Sequence, residues 1–121
     1  MQVSCSQFEG DATVSDVLFF VAKCDYVLVT VEEDADTLLF ARRQDGYCAL
    51  YRSYWDGKQT FHQFLIDSSN DSTKLQLVDV EGVELHFEDR FWVPSPIALR
   101  AVEYYCVHHE LDPRCTWHSY T

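Results

Sequence analysis

Three acid–glycine dipeptides constrain this chain more than any other feature: Asp45-Gly46, Asp56-Gly57 and Glu81-Gly82. Each stands between two short runs rich in apolar and β-branched residues. A glycine there supplies the left-handed backbone that a two-residue hairpin turn needs. Residues 38–42 and 47–52 flank the first dipeptide, 47–52 and 60–66 the second, 75–80 and 83–88 the third. The spacing predicts antiparallel hairpins. In residues 83–88, Val83, Leu85 and Phe87 point one way and Glu84, His86 and Glu88 the other, the period-two pattern of a half-buried strand.

Two segments break the period. Residues 13–23 predict a short helix with Ser15 as its cap and Asp16 in its first turn, and Val14, Val17, Leu18 and Val21 fall on one side. Ser95 before Pro96 predicts a second helix start, with proline at the first helical position. That helix runs to about His109, carries its stripe on Ala98, Leu99, Val102, Tyr105 and Cys106, and cannot continue through Pro113. Residues 26–31 are nearly continuously apolar and predict a central strand covered on both faces. Residues 32–36 are an acidic turn, 67–72 a polar loop, and 115–117 a last short strand. At 121 residues there is room for one core, so residues 1–121 are expected to form one domain. The expected fold class is α+β: a mainly antiparallel sheet of about six to seven strands, with an N-terminal and a C-terminal helix packed on one face.

Charge narrows the function. Twenty acids against nine bases leave −11, split as −7 over residues 1–40, 0 over 41–80 and −4 over 81–121. A nucleic-acid reader needs a basic footprint, and anionic membrane surfaces repel an acidic chain, so neither partner is expected. The longest apolar run, residues 17–22, is six residues, far from the ~20 of a membrane helix. No secretory signal is visible at the N-terminus, and the five cysteines are an odd number without a Cys-x-x-Cys. Free thiols and a cytoplasmic location are the expectation, with Cys24, Cys48 and Cys106 as small core residues. Acidity alone has a plain explanation, solubility, as well as a functional one, the fast capture of a basic partner.

No motif supports catalysis. A nucleophile elbow and a phosphate-binding glycine loop are both absent. His86-Phe87-Glu88 matches the His-x-Glu of zinc deaminases, but it lies in an alternating strand and the downstream Pro113-Arg114-Cys115 has the wrong spacing. His108, His109, Cys115 and His118 lie close in sequence and could serve a small metal-binding or regulatory domain. Adjacent histidines on a helix diverge by about 100°, which argues against one shared ion. The expectation is no enzyme activity, no metal and no cofactor.

The segment Trp92-Val93-Pro94-Ser95-Pro96, then Ala98-Leu99-Arg100-Ala101-Val102 and Tyr104-Tyr105, then Pro113 and Cys115-Thr116-Trp117, resembles the closing segment of a family of bacterial immunity proteins. These guard against polymorphic toxins, several of them deaminases acting on DNA or RNA. The resemblance implies that Pro96, Ala101, Tyr105, Pro113 and Trp117 are structural family residues. It also implies a cognate toxin domain as partner, in a one-to-one heterocomplex blocked by occlusion. Exposed aromatics and carboxylates are the candidates for that interface: Glu32, Glu33, Asp34 and Asp36 in the acidic turn, Tyr54, Trp55 and Asp56 at the hairpin, Asp67 and Asp71 in the polar loop.

Overall fold

Residues 1–32, 35–80 and 82–120 are described by a computed structural model. The elements, in chain order, are β1 (Gln2–Cys5), β2 (Phe8–Asp11), α1 (Val14–Lys23), β3 (Tyr26–Glu32), β4 (Asp36–Arg42), β5 (Tyr47–Trp55) and β6 (Thr60–Ile66). They continue with β7 (Leu75–Val80), β8 (Val83–Glu88), a 3-10 turn at Asp89–Phe91, β9 (Val93–Pro94), α2 (Ser95–His108) and β10 (Thr116–Tyr120). Strands β10-β6-β5-β4-β3-β1-β2 lie side by side, all antiparallel, and the two residues of β9 add to β5 to complete an eight-stranded sheet. Among the described residues, β7 and β8 pair only with each other. The α+β class and the antiparallel sheet are as expected. The strand number is larger, and the first helix does not open the chain.

The turns form where glycine was placed. Gly46 and Gly57 have φ of +87° and +96°, values that L side chains rarely adopt. The hairpin the sequence did not announce is β1–β2, closed by Ser6 and Gln7. All positive-φ residues among those described are the four glycines and His109, so this turn needs no left-handed residue and leaves no glycine mark.

Both helices lie on one face of the sheet, as expected. Val17 and Val21 of α1 and Ala98, Ala101, Val102 and Tyr105 of α2 pack with Val27, Val29, Leu38, Phe40, Leu50 and Leu65. Each fully buried aliphatic or Phe side chain here contributes roughly 1.5–3 kcal/mol. The caps differ from the expectation by a residue or two. Thr13, not Ser15, caps α1: its hydroxyl accepts from the Asp16 N–H at 3.2 Å and the Asp16 carboxylate accepts from the Thr13 N–H at 3.0 Å, a capping box. Ser95 is already the first residue of α2, so Pro94 takes the cap position and Pro96 the second helical place. α2 ends at His108, and His109 closes it in the left-handed region at φ 56°.

The opposite face holds a second core. Leu39, Ala41, Ala49 and Phe64 of the sheet pack with Phe87, Phe91 and Trp92, and Val78, Val80 and Leu85 bring the β7–β8 hairpin over them. Phe64 stacks on Phe91 at a centroid separation of 4.1 Å. The strands covered on both sides are therefore β4, where residues 38–41 are all buried, and β5, where residues 48–50 are, and not β3. In β3, among the described side chains, Val27 and Val29 are buried, while Leu28 is 36% exposed. The hairpin covers the sheet over β4 and β5 and leaves Leu28 open.

Candidate functional site

The end of β3, the start of β4, the end of β5 and the start of β6 meet at one end of the sheet. Asp36 is the register partner of Tyr54, and the Trp55 N–H donates to the Ala35 carbonyl at 2.7 Å. Four expected interface residues thus gather there: Asp36, Tyr54, Trp55 and Asp56. Glu33 and Asp34 lie outside the described residues. Glu32 is the last residue of β3, at the same end.

Asp36 does not face outward. It sits in phase with Leu38 and Phe40, so its side chain enters the helix side, and it is 5% exposed. Arg52 holds it in a fork, Nε to Oδ1 at 2.9 Å and Nη2 to Oδ2 at 2.7 Å, and the Tyr105 hydroxyl donates to Oδ1 at 2.8 Å. The guanidinium also donates to Gln63 Oε1 at 3.3 Å and lies over the Tyr54 ring at 4.5 Å. Burial pulls the Arg52 pKa down, but the hydrogen bonds and charge of Asp36 outweigh it and hold the group above its ordinary value. Burial, then the Asp36 carboxylate, pushes the Tyr105 phenol well above its ordinary value. This corrects the expectation for Asp36: it is an internal anchor, tying β4 to β5 and α2. Tyr54, half-buried under Arg52, belongs with it.

Trp55 and Asp56 do face outward. Trp55 is 44% exposed at the end of β5, on the helix-free side with Tyr47, Ala49, Tyr51 and Ser53. Asp56 is exposed and accepts from the backbone N–H groups of Gln59 at 2.9 Å and Lys58 at 2.8 Å. Those two bonds, Gln59 first, hold its pKa below the ordinary carboxylate value. On the same side lie Leu28, Thr30 and Thr37, and with Gln2 and Asp11 they line an open depression of about 780 Å³. Tyr51 is half-buried, bonded through its hydroxyl to His62 and tilted against Phe64 at 4.7 Å.

The polar loop lies elsewhere. β6 runs from Thr60, beside Trp55, to Ile66, so Asp67 and Asp71 stand beyond the opposite end of the sheet. Asp67 is half-buried and accepts from the Ser69 N–H at 3.0 Å and hydroxyl at 2.6 Å. Asp71 is exposed. The two ends of the sheet are about 20 Å apart at the usual rise of a strand, so the nine candidates are not one patch.

The C-terminal His/Cys set is also dispersed. His108 and His109 are exposed on α2, where His108 packs on Tyr104 at 4.3 Å. His118 reaches the other face of the sheet and stacks over Phe91 at 6.1 Å. Among the described residues, no group of three or more His, Cys, Asp or Glu is placed to hold a metal ion. Alternation along β10 sends His118 to the sheet face away from α2, apart from His108 and His109.

The segment that carries the resemblance is a packing unit. Ala101 and Tyr105 are 1% exposed, and Trp117 is half-buried against the helix-side core. The Trp117 indole N–H donates to the Asp112 carbonyl at 3.0 Å. The buried Asp112 carboxylate takes a fork from Arg114 at 3.0 and 2.9 Å. Pro96 and Pro113 are exposed and shape the chain at the helix start and in the final turn. All five cysteines are free, four of them buried, and burial raises the Cys106 thiol to about 11. Among the described residues, no helix is long and apolar enough to cross a membrane. In comparison with known proteins, no family model matches this chain and no curated protein does.

Proposed function

We propose that this protein is an immunity-type inhibitor: it binds one cognate toxin domain in the cytosol and blocks its active site without chemistry of its own. The observation that carries the reading is Trp55, a large indole left 44% exposed at the end of the sheet beside the exposed Asp56. An exposed indole next to carboxylates is the usual anchor of a protein interface, and the carboxylates select a basic partner. A toxin that acts on nucleic acid carries such a basic cleft, and a deaminase is the first choice by the resemblance of residues 92–117. The net charge of −11 supports fast capture, and five free thiols suit a reducing compartment.

The area required is modest. A standard interface takes about 800 Å² per partner, roughly one-eighth of the 6855 Å² surface of this chain. Protection that leaves little free toxin needs nanomolar binding, about −12 kcal/mol. The test is co-expression with the product of the adjacent upstream gene, followed by pull-down and growth rescue. A one-to-one complex that restores growth, weakened at least about 30-fold by Trp55→Ala, is the expected result. Absence of both complex and rescue refutes the reading.

A further inference from the structure

The β7–β8 hairpin packs only one of its faces. Its inner row is Gln76, Val78 and Val80 with Val83, Leu85 and Phe87, and of these Val78, Val80, Leu85 and Phe87 pack on the second core. The register sets Leu75 opposite Glu88, Leu77 opposite His86, and Asp79 opposite Glu84 on the outer row. Leu75 and Leu77 are each 59% exposed there, two large aliphatic side chains two residues apart on a strand with nothing over them among the described residues. From residue 75 to 88 the sequence has four acids and no Lys or Arg; Glu88 is taken up in an ion pair with Arg90 at 3.0 Å, so Asp79 and Glu84 carry the charge of the outer row. Val83 belongs to the inner row yet is 58% exposed, so at this position the hairpin extends past the second core.

We propose that this outer face is a docking arm for a basic protein surface that carries an apolar strip. The inference rests on the inhibitor reading above and names the element that reaches into the partner's cleft. The leucine pair supplies area to bury, and the carboxylates beside it fix the sign of the partner. Nucleic acid and anionic lipid are repelled by the same carboxylates. A second copy docked face to face sets Asp79 and Glu84 against their own kind, which is unfavourable. The outer face measures about 20 by 10 Å from strand rise and spacing, a fraction of the roughly 800 Å² a partner needs. The remainder is at hand, because the arm lies on the helix-free side of the sheet, the side that carries Leu28 and Trp55.

The test uses the full chain and, as probe, the polypeptide encoded by the adjacent upstream gene. Two variants are measured beside wild type: Leu75→Ser with Leu77→Ser, and Glu84→Lys. Both change exposed outer-row positions, and circular dichroism checks that they fold. The leucine variant is expected to weaken the complex about 30-fold or more. Glu84→Lys is expected to slow association at low salt, with the difference fading as salt rises. Amide exchange on the wild-type complex reads the same face without any substitution, and protection confined to residues 75–88 and the Trp55 end supports the arm. A complex that forms, rescues growth and tolerates both variants, with the hairpin amides unprotected, overturns the arm and leaves the inhibitor reading standing. A wild-type chain that neither binds nor rescues overturns both. A homodimer of this chain abolished by the leucine variant overturns the proposed occupant.

Discussion

Removing the carboxylate of Asp36 is the sharpest test of how the acidic end of the sheet is held. Asp36→Ala leaves the Arg52 guanidinium, 12% exposed, without its fork and the Tyr105 hydroxyl without its acceptor. Breaking one half of a buried ion pair costs about 3–5 kcal/mol, because the remaining charge stays desolvated. Tyr105→Phe removes one donor and leaves the fork intact, so its cost is about 1.5–3 kcal/mol, that of a hydrogen bond to a charged group. Replacing both charges at once, Asp36→Leu with Arg52→Met, exchanges the pair for apolar volume. It should be closer to wild type than Asp36→Ala is, by about 1–4 kcal/mol. Urea denaturation at pH 7 with a constant m-value measures all three. A domain of this size has only about 5–15 kcal/mol in total, so Asp36→Ala should be visibly weakened. A loss below about 1 kcal/mol would show that Asp36 is solvated, and would return it to the surface residues.

Three further outcomes are expected. The Arg114 fork first, then the Arg114 N–H and the charges of Arg114 and Arg100, holds the Asp112 pKa below its ordinary value despite burial. Its contribution is therefore complete above the unfolded carboxylate value, about pH 4, and is lost as pH falls through the lowered folded value. Asp112→Asn should flatten the decline of stability in that acid range, and an unchanged slope in urea titrations across pH would contradict this. Thr13→Ala should cost about 1 kcal/mol through the capping box while Ser15→Ala costs a few tenths, and the reverse order would restore Ser15 as the cap. A thiol reagent at pH 8 should modify Cys115, which is half-exposed, well before Cys5, Cys24, Cys48 and Cys106, which are buried; two or more fast thiols in the folded chain would contradict the packing.

Local features were legible in the sequence because they are set by single residues. Gly46, Gly57 and Gly82 mark their turns because each sits at positive φ, while Pro113 bounds α2 only from a distance, since the helix already ends at His108 under the left-handed His109. What depends on distant chain was not legible. Leu39 and Ala41 are covered by a hairpin some 40 residues later, so continuous apolarity in residues 26–31 pointed to the wrong doubly covered strand. β7 has two apolar residues on its outer row and two on its inner row, and only its register with β8 decides which pair is left bare. The inward turn of Asp36 did have a signal. It continues the period-two row of Leu38 and Phe40, and that phase outranks the acidic run it belongs to.

The order of strands sets the order in which the molecule can be assembled. β3 to β6 are sequential neighbours and can zip from one turn to the next, whereas β10 reaches β6 across some 50 residues and must wait for α2. During synthesis the meander emerges first, with Val27, Leu38, Phe40 and Leu50 bare on the side that α2 will later cover. The chain is at its most adhesive in that interval, before residue 108 leaves the ribosome. Its acid-rich first 40 residues are then the main charge available to keep growing chains apart. Pulse-labelled amide exchange during refolding should protect β10 last, and early protection there would reverse this order.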